Sequence, residues 1–224
     1  MHSISVSDLD TYRWWREQED LDLAWLLKRF RREEPQTEAM KAGEALHKWL
    51  ESPYTCETIF TGDYRFDVNC EIAIQYPKAM ELSIQQRYGD LLVRGRIDAS
   101  AGHTITDYKT TERFEPDRLL EGFQWRYYLD MTGCSKFIWQ VFVMKEFGAD
   151  QLRDTQHCYT IYDTHKLVQV RYPGMHEECL MLAEDFLDFA KRIGLKETSN
   201  GDKTHQDAGT DSAVTTLPGK DGRV

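Results

Sequence analysis

The stretch RGRIDASAGHTITDYKTT, Arg94 to Thr111, decides how this chain is to be understood. It alternates with period two and breaks at Ala101-Gly102, the pattern of two strands joined by a tight turn. Strand surfaces are depleted in Asp and Lys, and like charges that face one another cost free energy. Yet Asp98, Asp107 and Lys109 all stand on this hairpin. With the turn around Ala101 to His103, Asp98 and Asp107 are expected near one another at the open end. Lys109 follows Asp107 by two residues, so on a strand it shares that face. Two carboxylates and an ammonium converging there make a site for a hard cation. Oxygen ligands suit Mg2+ or Mn2+, and the ammonium holds a water or offsets a developing charge. The plainer alternative is a surface salt bridge.

Working outward, the period of two continues upstream through YRFDVNCEIAI, ELSIQQRY and LLVRGRIDAS, with Gly89-Asp90 as a further turn. Before it, Ser7 to about Glu33 reads as one helix capped by Ser7, with Leu9, Tyr12, Trp15, Leu23, Leu26, Leu27 and Phe30 mostly at helical spacing. Pro35 interrupts it, and a second helix runs from about Gln36 to Leu50. Downstream, a helix over about Pro116 to Met131 stops at Gly133. KFIWQVFVMK follows as an apolar strand, QHCYTIYD as a shorter edge strand, and about Pro173 to Ile193 as an amphipathic helix. The order predicts an α/β fold with a mixed central sheet flanked by helices and an N-terminal helical segment. One domain is expected over residues 1–195, with the first helices in 7–50, the sheet core in about 64–145 and the closing helix in about 173–193. From Lys196 to Val224 the chain has no aromatic residue and few aliphatics, so it reads as a disordered polar tail.

A length of 224 residues suits one well-cored domain. No apolar run approaches the roughly 20 residues that span a bilayer, and MHSISVSDLD lacks the basic and apolar blocks of a signal peptide. A cytoplasmic protein without membrane contact is expected. Cys56, Cys70, Cys134, Cys158 and Cys179 form no CxxC pair, which favours reduced, mostly buried thiols over a zinc or iron–sulfur site. The net charge of -10 argues against coating nucleic acid by bulk electrostatics but leaves room for a local basic groove. The densest basic patches, KRFRR at Lys28 to Arg32 and RWWR at Arg13 to Arg16, each read as the polar face of a helix.

GRID followed by DYK resembles the PD-(D/E)XK nuclease superfamily, in the RecB-like branch that includes the CRISPR-adaptation nucleases and many phage exonucleases. Three further features match in order. GEALHKWLE resembles the branch's G-x3-H motif, QWRYY (Gln124 to Tyr128) its QxxxY motif, and SVSDLDTYRWW its S-x-S-x-L-x-x-Y opening. The matches cover about Ser5 to Tyr128.

The resemblance implies a restriction-endonuclease-like core in which His47, Asp98, Asp107 and the backbone carbonyl of Tyr108 hold one or two Mg2+ or Mn2+ ions. Asp98, Asp107 and Lys109 would be the catalytic group, with Lys109 orienting the attacking water. Glu71, expected on the preceding strand, would reach a second metal. Gln124 and Tyr128, four apart on one helical face, would contact DNA or the carboxylates, and Arg94, Arg96, Thr110 and Thr111 would meet phosphates. Ile97 stands where the family usually has a proline, and the cluster cysteines have no counterpart, so no iron–sulfur cofactor is expected. The implied function is a metal-dependent DNA exonuclease of phage-type recombination, replication or repair. Its partners would be DNA, a single-strand annealing protein, and further copies of itself in a homo-oligomer. The alternatives are a structure-specific or single-strand endonuclease, and a nuclease-fold DNA-binding or assembly subunit that does not cut.

Overall fold

The computed structural model describes residues 2–51, 57–72, 77–147 and 157–195. Helix α1 (Val6–Arg16) begins where Ser5, in extended backbone, accepts a hydrogen bond from Asp8 N–H at 3.1 Å. The single long helix expected from Ser7 to Glu33 is two. After α1 the acidic run EQEDLD leaves the helix, and the Asp22 carboxylate caps α2 (Leu23–Phe30) at the Trp25 N–H, 2.9 Å away. Asp is a weak helix former and a strong N-cap, so it starts a new helix rather than continuing the old one. Trp15 Nε1 closes the break on the carbonyls of Leu21 and Asp22. Helix α3 (Glu38–Leu50) is capped by Thr37. The helix expected over 116–131 is likewise split at Gly122-Phe123 into α4 (Pro116–Glu121) and α5 (Gln124–Thr132), because Phe123 N–H is taken by the Asp10 carboxylate. Helix α6 (Met175–Arg192) closes the described chain.

Among the described residues eight strands form one mixed sheet: β1 (Ser3–Ser5), β2 (Thr58–Thr61), β3 (Tyr64–Val68), β4 (Ala79–Tyr88), β5 (Leu91–Ala101), β6 (Thr104–Thr111), β7 (Lys136–Glu146) and β8 (His157–Val170). The order is β1-β5-β6-β7-β8-β3-β2, with β4 paired to β5. β6 and β7 are parallel, joined over one face by α4 and α5, and β1–β5 and β3–β8 are also parallel; the rest pair antiparallel. The α/β fold with a mixed central sheet flanked by helices is as the sequence predicts. Two strands differ. β1 and β2 are too short to leave a periodic signal, and β8 is a long interior strand between β7 and β3 rather than a short edge. Its THKLVQV half carries polar residues but keeps pairing with β7 beyond a bulge at Val143/Met144.

Apolar side chains bury both faces of the sheet. On one, Tyr12 of α1 packs on Phe186 and Phe189 of α6, above Ile97, Ile105, Phe137 and Trp139. On the other, Leu46, Trp49 and Leu50 of α3 cover Phe66, Phe142 and Ile161. Among the described cysteines only Cys179 is buried; Cys70, Cys134 and Cys158 are half-buried. No helix among the described residues is long and apolar enough to cross a membrane. The polar tail from Lys196 lies outside the described residues.

Candidate active site

The site opens where β5 changes neighbours. Along one edge, Leu92 to Arg94 pair with β1, and pairing with β6 begins only at Ala99 opposite Thr106. Between them Gly95, Arg96, Ile97 and Asp98 face no strand on that edge. Their backbone groups still need partners, and side chains supply them. Tyr128 of α5 donates its hydroxyl to the Arg96 carbonyl at 2.9 Å, and on the β6 side of the gap the Tyr108 N–H donates to the Asp98 carboxylate at 2.8 Å. Gly95 makes the first contact possible, since a Cβ there would stand 2.4 Å from the Tyr128 ring. The glycine of GRID therefore seats the tyrosine of QxxxY.

One residue pair past the last rung of the β5–β6 ladder, Asp98 and Asp107 meet at the fork. Asp107 is only 2 % exposed. Its Oδ1 accepts from Gln124 Nε2 at 2.7 Å, and its Oδ2 faces the Lys109 ammonium at 2.8 Å, an ionic contact without hydrogen-bond alignment. Lys109 also lies over the Trp139 ring, 5.2 Å from its centroid. From the opposite face α3 brings His47 Nδ1 to 3.8 Å from Asp98 Oδ2. Gly43, one turn earlier, lets that helix approach, because a Cβ there would meet Thr110 Oγ1 at 2.7 Å. His47, Glu81, Asp98, Tyr108 and Lys109 line an open cavity of about 670 Å3.

The electrostatics follow from this crowding. Burial first, and the Asp107 charge second, push the Asp98 pKa from 3.8 up to about 7. Burial holds His47 below the ordinary imidazole range, against an opposing pull from Asp107, which keeps the ring neutral at physiological pH. Burial works against the Lys109 charge, yet Asp107 and Asp98 outweigh it and hold the ammonium above its usual range. The donor chemistry, carboxylates with one imidazole, suits a hard divalent cation. As oriented, no three His, Cys, Asp or Glu side chains among the described residues stand together as a ready-made ligand set. Asp107 is engaged by Gln124 and Lys109 instead.

The structure thus gathers Asp98, Asp107, Lys109, His47, Tyr108, Gln124 and Tyr128 around one fork. Glu71 is a correction. It lies past the end of β3, exposed and in no strand, with its carbonyl accepting from Thr164 Oγ1 of β8. The strand that precedes β5 is β4, and its acid is Glu81. Glu81 falls at the one register position, opposite Asp98, where the β4–β5 pairing skips. Its backbone is left-handed, with φ 56°, and its carboxylate binds Arg96. Neither basic residue expected at phosphates is free of partners: Arg96 is on Glu81, and Arg94 donates to Ser3 Oγ at 2.9 Å. The Thr111 hydroxyl donates to the Arg113 carbonyl. In the S-x-S-x-L-x-x-Y segment Ser5 is a cap, Leu9 is core and Tyr12 donates to Asp185 Oδ2 at 2.8 Å, so these residues are structural. Between them sits Asp10, a half-buried carboxylate whose pKa is raised by desolvation, lining a second cavity beside Lys109 and Gln124.

No protein-family model and no curated protein matches the chain. Among solved structures, the protein designated SSO0001 aligns over 84% of this chain and 77% of its own, at TM-score 0.46 and 14% identity. A phage-related exonuclease from Haemophilus somnus 129PT aligns over 84% and 82%, at TM-score 0.35 and 10% identity. Both likenesses are distant.

Proposed function

We propose that this chain is a metal-dependent deoxyribonuclease that hydrolyses phosphodiester bonds and works from DNA ends. The observation that carries this is the convergence at one sheet fork of two carboxylates, a lysine and a neutral histidine from three separate elements. A structural salt bridge needs Asp107 and Lys109 alone. It has no use for a buried Asp98 whose charge is disfavoured, nor for an imidazole directed at it.

In this proposal His47, Asp98, Asp107 and the Tyr108 carbonyl hold Mg2+ or Mn2+. A bound divalent ion supplies a water of lowered pKa and offsets charge on the phosphate. Lys109 would orient the attacking water and offset, by its charge, the charge that develops on the phosphate. Gln124 holds Asp107 through its amide, and Tyr128 holds the strand at Arg96, so both are positioning residues for the fork.

The test is digestion of linear, end-blocked and sealed circular DNA, single- and double-stranded, with Mg2+ and with EDTA. Linear DNA should be degraded, sealed circles spared and EDTA samples left intact. Lys109→Ala should be slower by about a thousandfold. Cutting of sealed circles at the linear rate would turn the assignment to an endonuclease. Undiminished cutting in EDTA, or by Asp107→Ala, would remove the nuclease assignment altogether.

A further inference from the structure

A second cavity, of about 330 Å3, adjoins the first and shares Lys109 and Thr110 with it. Its size is at the lower end of pockets that hold small molecules, which run from about 300 Å3. Trp139 lines it, is 2 % exposed, and has an indole N–H with no hydrogen-bond acceptor. Phe114 is a flat wall held in place by His165, whose ring stacks on it at 3.8 Å and 9°. Arg113 and Arg118 add cations; Arg113 is 87% exposed and only 3.9 Å from Glu115, a weak tie. Asp10 and Glu115 are the carboxyl groups among its walls.

A ring wall and two guanidinium groups in a space of this size match one chemical class. We propose that the cavity seats a single nucleotide, with the base against Phe114 and the phosphate near Arg118 and Arg113. In the nuclease proposed above, on which this placement rests, it is the pocket for the nucleotide adjoining the phosphate at Lys109. The pocket holds what is cut off, or what is about to be. Base stacking on one aromatic ring is sequence-tolerant, so any base should enter.

The test is isothermal titration calorimetry in EDTA, so that no divalent ion takes part, with dAMP, deoxyadenosine and inorganic phosphate as probes. dAMP should bind, and the nucleoside and the phosphate should each bind at least about tenfold more weakly. Arg118→Gln, a surface change that should keep the parent melting temperature, and Phe114→Ala, checked for folding by circular dichroism, should each weaken dAMP about tenfold. Arg31→Gln, outside the cavity, should change nothing. Inorganic phosphate binding as well as dAMP would reduce the site to a plain anion site and overturn the proposal. So would dAMP affinity unmoved by both substitutions, or no dAMP binding at millimolar concentration. Binding of dAMP by a protein that cuts no DNA would uphold the pocket and refute the nuclease; cutting without dAMP binding would do the reverse.

Discussion

Asp98→Asn should stabilise this protein at about pH 8 and leave it almost unchanged at about pH 4. The Asp98 side chain is 16% exposed and faces the Asp107 carboxylate across the fork. Burial and that charge together raise its pKa from 3.8 to about 7. A carboxyl that binds its proton more tightly when folded costs nothing below about pH 4, where both states are protonated. The cost grows as pH rises from about 4 to 7, because the unfolded chain ionises first, and it is complete above about 7. At about 1.36 kcal/mol per pH unit that interval caps the penalty near 4 kcal/mol. Asp107 shares the repulsion and side chains relax, so a gain of about 2 kcal/mol is expected for the neutral variant. The amide oxygen of the introduced asparagine would still accept from Tyr108 N–H, so the fork keeps that hydrogen bond. Urea denaturation of parent and variant at several pH values, without divalent ions, measures the difference. A variant that is less stable at about pH 8, or a gain that does not vary with pH, would refute the argument from buried like charge.

Gly95→Ala forces a methyl into the Tyr128 ring and should cost about 1–3 kcal/mol; in a Tyr128→Ala background the cost should largely vanish, which a double-mutant cycle by chemical denaturation will measure. Glu81→Gly should stabilise by up to about 1 kcal/mol, since a left-handed residue with a side chain is strained by about 1–2 kcal/mol and the exposed Arg96 pair contributes little. Unchanged or lower stability would mean that the pair outweighs the strain. Gln124→Ala leaves Asp107 held by Lys109 alone, so it should lower kcat more than it raises KM in steady-state cleavage assays. Asp130→Ala should cost about 3–5 kcal/mol, read as a lowered melting temperature. Asp130 is buried and receives Tyr88 Oη at 2.7 Å, with His176 at 2.8 Å and Arg171 at 3.2 Å.

What the sequence revealed follows the range of the interaction. The hairpin from Arg94 to Thr111 is local, so alternation and one turn were enough to bring Asp98 to Asp107. His47, Gln124 and Tyr128 come from distant helices, and only their motif spacing made them visible. Glu81 left no signal, because its place depends on how β4 registers against β5 and on one skipped pair. Glu71, an acid in an alternating stretch, looked identical on paper. Asp10 sits between two residues of a recognisable segment, yet its use, holding Phe123 N–H, depends on packing against a helix more than a hundred residues away. β8 is longer than its sequence suggests because Asp163, His165 and Lys166 resemble a strand end, whereas half of that segment faces solvent beside a ladder to β7 that continues past one bulge.

The three rungs that join β5 to β6 have a mechanical consequence. The sheet is two stiff plates, β4-β5-β1 and β6-β7-β8-β3-β2, sewn together by a short seam at the hairpin turn. Asp98 belongs to one plate and Asp107 to the other. Beyond the seam the gap between them is not measured out by backbone ladder, as it would be in a continuous sheet. It is bridged by two clasps: the hydrogen bond from Tyr108 N–H to Asp98, and α5, which grips one plate through Tyr128 and the other through Gln124. Side chains rather than a ladder therefore hold the two carboxylates at their separation.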